Sequence, residues 1–77
     1  MKPEKLRSLI DEIMWDIEFG YQGKHGAICC FAEDSFSVCY DGNEKDYTSA
    51  DDVMTDTELF GKPLEEIAEE LEMYQEW

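Results

Sequence analysis

Basic residues are scarce in this sequence. Six lysines and arginines stand against 20 aspartates and glutamates, a formal net charge of −14 over 77 residues. That balance repels phosphate, so direct contact with nucleic acid is not an expected function. No run approaches the roughly 18 apolar residues of a membrane span, and the N-terminus lacks a signal peptide's apolar stretch. A membrane partner is therefore not expected either. Cysteine is limited to Cys29, Cys30 and Cys39. An odd count with no export signal reads as reduced thiols in a cytoplasmic protein, not as a disulfide framework. Repeats, linkers and low-complexity segments are missing, so residues 1–77 are expected to form one small domain.

The residues that catalysis or cofactor binding would need are equally thin. His25 is the only histidine, and no catalytic partner for it is identifiable. The segment Gly20-Tyr-Gln-Gly-Lys-His-Gly26 has the look of a phosphate loop but fails its spacing. A P-loop needs glycine where Glu18 stands and Ser or Thr where His25 stands; a hairpin turn over residues 22–26 is the better reading. An EF-hand loop starting at Asp41 would need glycine at Asp46. Zinc would need more Cys or His at chelating spacings, and neighbouring strand residues such as Cys29 and Cys30 point to opposite faces. No cofactor, no metal and no enzymatic activity are expected.

What the chain does have is enough apolar and aromatic sequence to form a core: 43% hydrophobic and 13% aromatic residues, at a mean hydropathy of −0.54. Leu6, Leu9, Ile10, Ile13 and Met14 recur at helical spacing, predicting a helix over residues 3–14 opened by Pro3. Trp15, Ile17, Phe19 and Tyr21 then alternate with polar residues or glycine, as in a half-buried strand. A second strand is predicted over residues 27–32 and a third over Phe36, Val38 and Tyr40. Asp41-Gly42 is a hairpin signal, followed by a short edge strand from Lys45 to Thr48. A three-residue turn at 33–35 sets Cys29 opposite Cys39; a two-residue turn sets Cys29 opposite Val38. Ser49 can cap a short helix over residues 50–54. Leu59 and Phe60 are expected to pin the following loop. Pro63 opens a closing helix with Leu64, Ile67, Ala68, Leu71 and Tyr74 on its apolar stripe. The expected fold class is α+β: an N-terminal helix, a three- to four-stranded antiparallel β-meander, then a short helix and a C-terminal helix packed on one sheet face.

The charge is unevenly spread. Residues 1–24 carry five acids and four bases, residues 33–58 nine acids with only Lys45, and residues 63–77 six acids with no base. On a continuous closing helix, Glu65 to Glu76 would span about 16.5 Å, one carboxylate per roughly 3 Å, close to the phosphate spacing of one DNA strand. Met73 and Trp77 lie four apart within that acidic arc, like an apolar anchor with a charged rim.

The stretches Asp41-Gly42 to Tyr47, Ser49-Ala-Asp-Asp-Val-Met, and Leu59-Phe-Gly-Lys-Pro-Leu-Glu-Glu-Ile-Ala-Glu-Glu-Leu cover residues 40–72 in outline. Together they resemble a recurring pattern in small uncharacterised acidic α+β proteins of bacterial mobile elements and prophages. In size, acidity and plan the chain is also similar to phage-coded inhibitors that mimic nucleic acid, including anti-CRISPR and anti-restriction proteins. That likeness carries no functional residue over.

The expected function is a non-enzymatic acidic module that binds a basic protein surface. Its sharper form is a nucleic-acid-mimicking inhibitor of a nucleic-acid-binding protein. Asp51, Asp52, Asp56, Glu65, Glu66, Glu69, Glu70 and Glu72 would supply charge, with Met73 and Trp77 as the anchor. The alternative is a structural module that forms a homodimer through the sheet or an exposed helix face.

Overall fold

The computed structural model describes residues 1–12 and 16–74. The expected contributions of Ile13 and Met14 to the first helix, of Trp15 to the first strand, and of Glu76 and Trp77 to the acidic arc lie outside the described residues.

The chain begins with α1 (Pro3–Glu12) and continues into a meander of four strands: β1 (Ile17–Tyr21), β2 (Lys24–Ala32), β3 (Ser35–Tyr40) and β4 (Asn43–Tyr47). Helix α2 (Ala50–Thr55) follows, then the one-turn helix α3 (Leu64–Ile67), a 3₁₀ turn over Ala68–Glu70, and a two-residue strand β5 (Glu72–Met73). The sheet order is β4-β3-β2-β1-β5, with every neighbour antiparallel. This is the expected α+β class, with a fifth strand added.

Period-2 alternation decides what each strand buries. Ile17, Phe19 and Tyr21 of β1 face the helices, as do Ile28 of β2 and Phe36, Val38 and Tyr40 of β3. Against them pack Leu6 and Ile10 of α1, Val53 and Met54 of α2, and Leu64 and Ile67 of α3. Phe60 closes the end of this core as expected, its ring centroid 4.7 Å from Tyr40 and 6.0 Å from both Phe19 and Tyr21. Tyr40 Oη donates to the Tyr21 carbonyl at 2.8 Å, so the buried hydroxyl is satisfied.

Hairpin turns set the strand ends. Gln22-Gly23 and Asp41-Gly42 both have positive φ at the two turn positions, as two-residue hairpins with the native strand twist require. The first turn is shorter than predicted: Lys24, His25 and Gly26 belong to β2. The β2–β3 turn is also two residues, with Ala32 opposite Ser35. A bulge between Cys30 and Ala32 then moves the register by one. Cys29 therefore meets Ser37, and Cys39 meets Ala27; neither expected pairing forms. The edge strand runs from Asn43 to Tyr47, two residues earlier at its start than expected.

The long closing helix does not form. Its apolar stripe is real, since Leu64, Ile67, Ala68 and Leu71 are all buried. But Glu65 and Glu69, and Glu66 and Glu70, are like-charged pairs at i,i+4, and the C-terminal end of a helix disfavours acids. The backbone tightens at Ala68 and is extended by Leu71 (φ −71°, ψ 136°), and residues 72–73 instead complete a ladder with Phe19 and Gly20.

Candidate functional site

The acids fall into two groups according to whether the fold uses them. Asp51 and Asp52 occupy the first turn of α2, where the helix dipole favours carboxylates. Ser49 caps that turn as predicted, accepting from the Asp52 N–H at 3.1 Å. Asp51 pairs with Arg7, which also lies 3.6 Å from Asp11. Both aspartates remain exposed.

Asp56 is different. Its Oδ2 accepts from Tyr47 Oη at 2.6 Å and from Lys45 Nζ at 2.9 Å, and Lys45 also reaches Glu58 at 2.9 Å. The Tyr47 bond, then the Lys45 bond, hold the Asp56 carboxyl below its ordinary range. Burial, then the same bond to Asp56, pushes the Tyr47 hydroxyl up. Asp56 thus ties the end of α2 to β4 and is half-buried there.

Glu65 and Glu66 on α3, Glu69 and Glu70 on the 3₁₀ turn, and Glu72 on β5 are exposed. None of the five makes an ion pair among the described residues. Arg7, Lys24 and Lys45 are meanwhile taken by Asp11 and Asp51, by Asp41, and by Asp56 and Glu58. Three of the six lysines and arginines are thus paired with other acids, and among the described residues no basic side chain forms an ion pair with these glutamates. With the helix broken they do not form one straight 16.5 Å line.

Met73 is not an exposed anchor. It pairs with Phe19 across the β1–β5 ladder and packs half-buried on the core. Among the described residues, the large apolar side chains that face outward are Phe31, 69% exposed at the bulge, and Tyr74, 54% exposed. Tyr74 was expected on a buried helical stripe. Instead it stacks on His25 with centroids 5.8 Å apart and rings 6° from parallel. Gly20 permits this, because a Cβ there would lie 2.7 Å from Tyr74 Oη. The helical spacing placed Tyr74 inward; with the chain extended from Leu71, it follows β5 on the outside.

Cys29 and Cys30 sit in surroundings that disfavour their thiolates. Burial pushes the Cys30 thiol up to about 11. Cys29 is raised too, first by burial and then by the nearby Asp16. Thiols, not thiolates, stand at both positions at neutral pH. Among the described residues no three His, Cys, Asp or Glu side chains are grouped to hold a metal. Cys30, kept as the single cysteine in a Cys29→Ser/Cys39→Ser variant, is expected to react with a disulfide reagent at pH 7 at least about tenfold more slowly than the same chain in urea, because the loss of thiolate outweighs the gain in its nucleophilicity. Equal rates would show that the thiol is neither buried nor perturbed.

No family model, curated protein or solved structure matches this chain.

Proposed function

We propose that the protein is a non-enzymatic binding module whose acidic surface engages a basic protein. The supporting observation is the run of exposed glutamates Glu65, Glu66, Glu69, Glu70 and Glu72, without an ion pair among the described residues, in a fold whose paired cations are spent elsewhere. Solubility alone needs no such expense in local stability, since each like-charged i,i+4 pair weakens the turn that carries it. In the sharper form of this reading the partner is a nucleic-acid-binding protein, and the carboxylates occupy its phosphate-binding surface. Electrostatic steering then makes association fast and salt-sensitive.

The test is capture from a bacterial lysate by the immobilised chain at low and at high salt, followed by elution with duplex DNA. Basic proteins are expected at low salt, with loss at high salt and displacement by DNA. Recovery of no basic or nucleic-acid-binding protein would overturn the proposal. A Glu65→Lys/Glu66→Lys/Glu69→Lys/Glu70→Lys variant is expected to lose the captured set, with far-ultraviolet circular dichroism showing that the fold remains.

A further inference from the structure

The outer edge of the sheet is open at β4. β4 is the last strand on its side, and among the described residues only β3 pairs with it. The two-residue turn at Asp41-Gly42 makes Tyr40 and Asn43 a hydrogen-bonded pair. Bonded and non-bonded pairs then alternate along the ladder. Val38 with Lys45 and Phe36 with Tyr47 are bonded; Cys39 with Glu44 and Ser37 with Asp46 are not. The main-chain N–H and C=O groups of Glu44 and Asp46 consequently point away from the sheet. Among the described residues no main-chain group bonds to them.

Such an edge invites another strand, and its side chains decide which. Glu44 and Asp46 are both exposed on the helix-free side of the sheet, two residues apart. A second copy pairing antiparallel about Lys45 would set Glu44 against Asp46 twice, between chains of −14 each. Directly opposed like charges destabilise a sheet pair. A basic strand reverses that sign at both positions. Its middle residue would lie opposite Lys45 on the helix side. There β4 and α2 enclose a shallow cavity of about 420 Å³ whose lining includes Thr48, Asp52 and Thr55, so a polar side chain suits it.

We propose that the edge of β4 takes an extended segment of a partner protein as a sixth strand, with Lys or Arg at two positions separated by one polar residue. This rests on the reading of the protein as a binder of basic partners and gives such a partner a second point of attachment, at the sheet edge opposite β5. Main-chain bonds supply the attachment, and the spacing of Glu44 and Asp46 supplies the selection.

The ¹⁵N-labelled full chain, titrated with the capped peptide Thr-Lys-Thr-Lys-Thr, tests it. The amides of Glu44 and Asp46 are expected to exchange with solvent at least about tenfold more slowly in the complex, and binding is expected to weaken with salt. A peptide of the same composition with adjacent lysines is expected to bind several-fold more weakly. Glu44→Lys/Asp46→Lys keeps the strand backbone, and is expected to lose the basic peptide and gain Thr-Glu-Thr-Glu-Thr. Asp46→Pro removes one outward N–H and is expected to lose binding as well. Binding that leaves both amides unprotected and perturbs Glu69 and Glu70 instead would overturn the edge proposal while the acidic-binder reading stands. A dimer in sedimentation with those amides already protected would overturn it in favour of self-pairing. Absence of peptide binding together with an empty lysate capture would overturn both readings.

Discussion

Phe19→Ala is expected to destabilise the protein by about 3–5 kcal/mol, the range for removing a fully buried aromatic ring. A domain of this length has a total stability on the order of 4–12 kcal/mol, so the variant stands near the limit of folding. Phe19 is fully buried and lies between the sheet and Phe60. The more informative part concerns its cross-strand neighbour. Gly26 pairs with Phe19, and a Cβ there would lie 2.6 Å from two carbons of the Phe19 ring. Gly26→Ala therefore overpacks a core that is already filled, at a cost of about 1–3 kcal/mol. Once the ring is shortened, the methyl has space. In a Phe19→Leu background, which should fold, Gly26→Ala is expected to cost less than it does in the native sequence, with a coupling of about 0.5–3 kcal/mol. Some cost remains, because the same Cβ approaches the Cys39 carbonyl oxygen at 3.0 Å. Urea unfolding of the two single variants and the double variant measures the coupling. Strict additivity would show that the ring and the glycine are independent.

That pair illustrates what alternation reveals and what it leaves hidden. Phe19 was recognisable as an inward residue from the period of two. Gly26 read only as a turn residue, because glycine has no side chain to carry a periodicity. The β2–β3 register shows the same division. Ile28, Cys30, Phe36, Val38 and Tyr40 share the inward face. Yet the turn has two residues, which in a regular ladder would have turned Cys29 inward. The bulge at Phe31 reconciles them, and a single extra residue leaves no mark in the pattern of apolar positions.

The C-terminal segment departs from its helical spacing for a related reason. Leu64, Ile67, Ala68 and Leu71 sit at helical spacing and are buried as that spacing implies. Periodicity reports which side chains turn inward; it does not report that β1 has an open edge next to the chain's end. Ladder bonds to Phe19 and Gly20 are available there, and a third helical turn loaded with unneutralised glutamates is the weaker competitor. The consequence reaches the candidate site. Met73 moves from the acidic arc into the core margin, Tyr74 moves out onto His25, and the glutamates lose their straight alignment while keeping their exposure. Asp56 was grouped with the exposed acids because sequence cannot show that Lys45 and Tyr47 converge on it from β4.

Asp56→Asn separates that structural role from the binding role. The folded carboxyl is held below its ordinary value by the Tyr47 hydroxyl first and by Lys45 second. In the window between the folded value and the ordinary carboxylate value near about 3.9, the unfolded chain takes up a proton that the folded chain refuses. Stability from this group is therefore complete above the ordinary value and is lost as pH falls through the folded one. At pH 7 the variant is expected to be less stable by about 1–3 kcal/mol, the range for losing a charge-assisted hydrogen bond. The gap to the native protein is expected to narrow as the pH is lowered below about 4. Urea titrations at pH 7 and pH 3 measure it, and an unchanged gap would show that the carboxylate's charge is not what Tyr47 and Lys45 hold. Tyr47→Phe removes the larger cause and leaves the Lys45 pair, so its loss at pH 7 is expected to be smaller and its acid dependence shallower. Neither variant touches Glu65, Glu66, Glu69 or Glu70. Under conditions where both remain folded, each is expected to capture the same basic proteins as the native chain, while charge reversal at those four glutamates abolishes capture with little change in the urea midpoint.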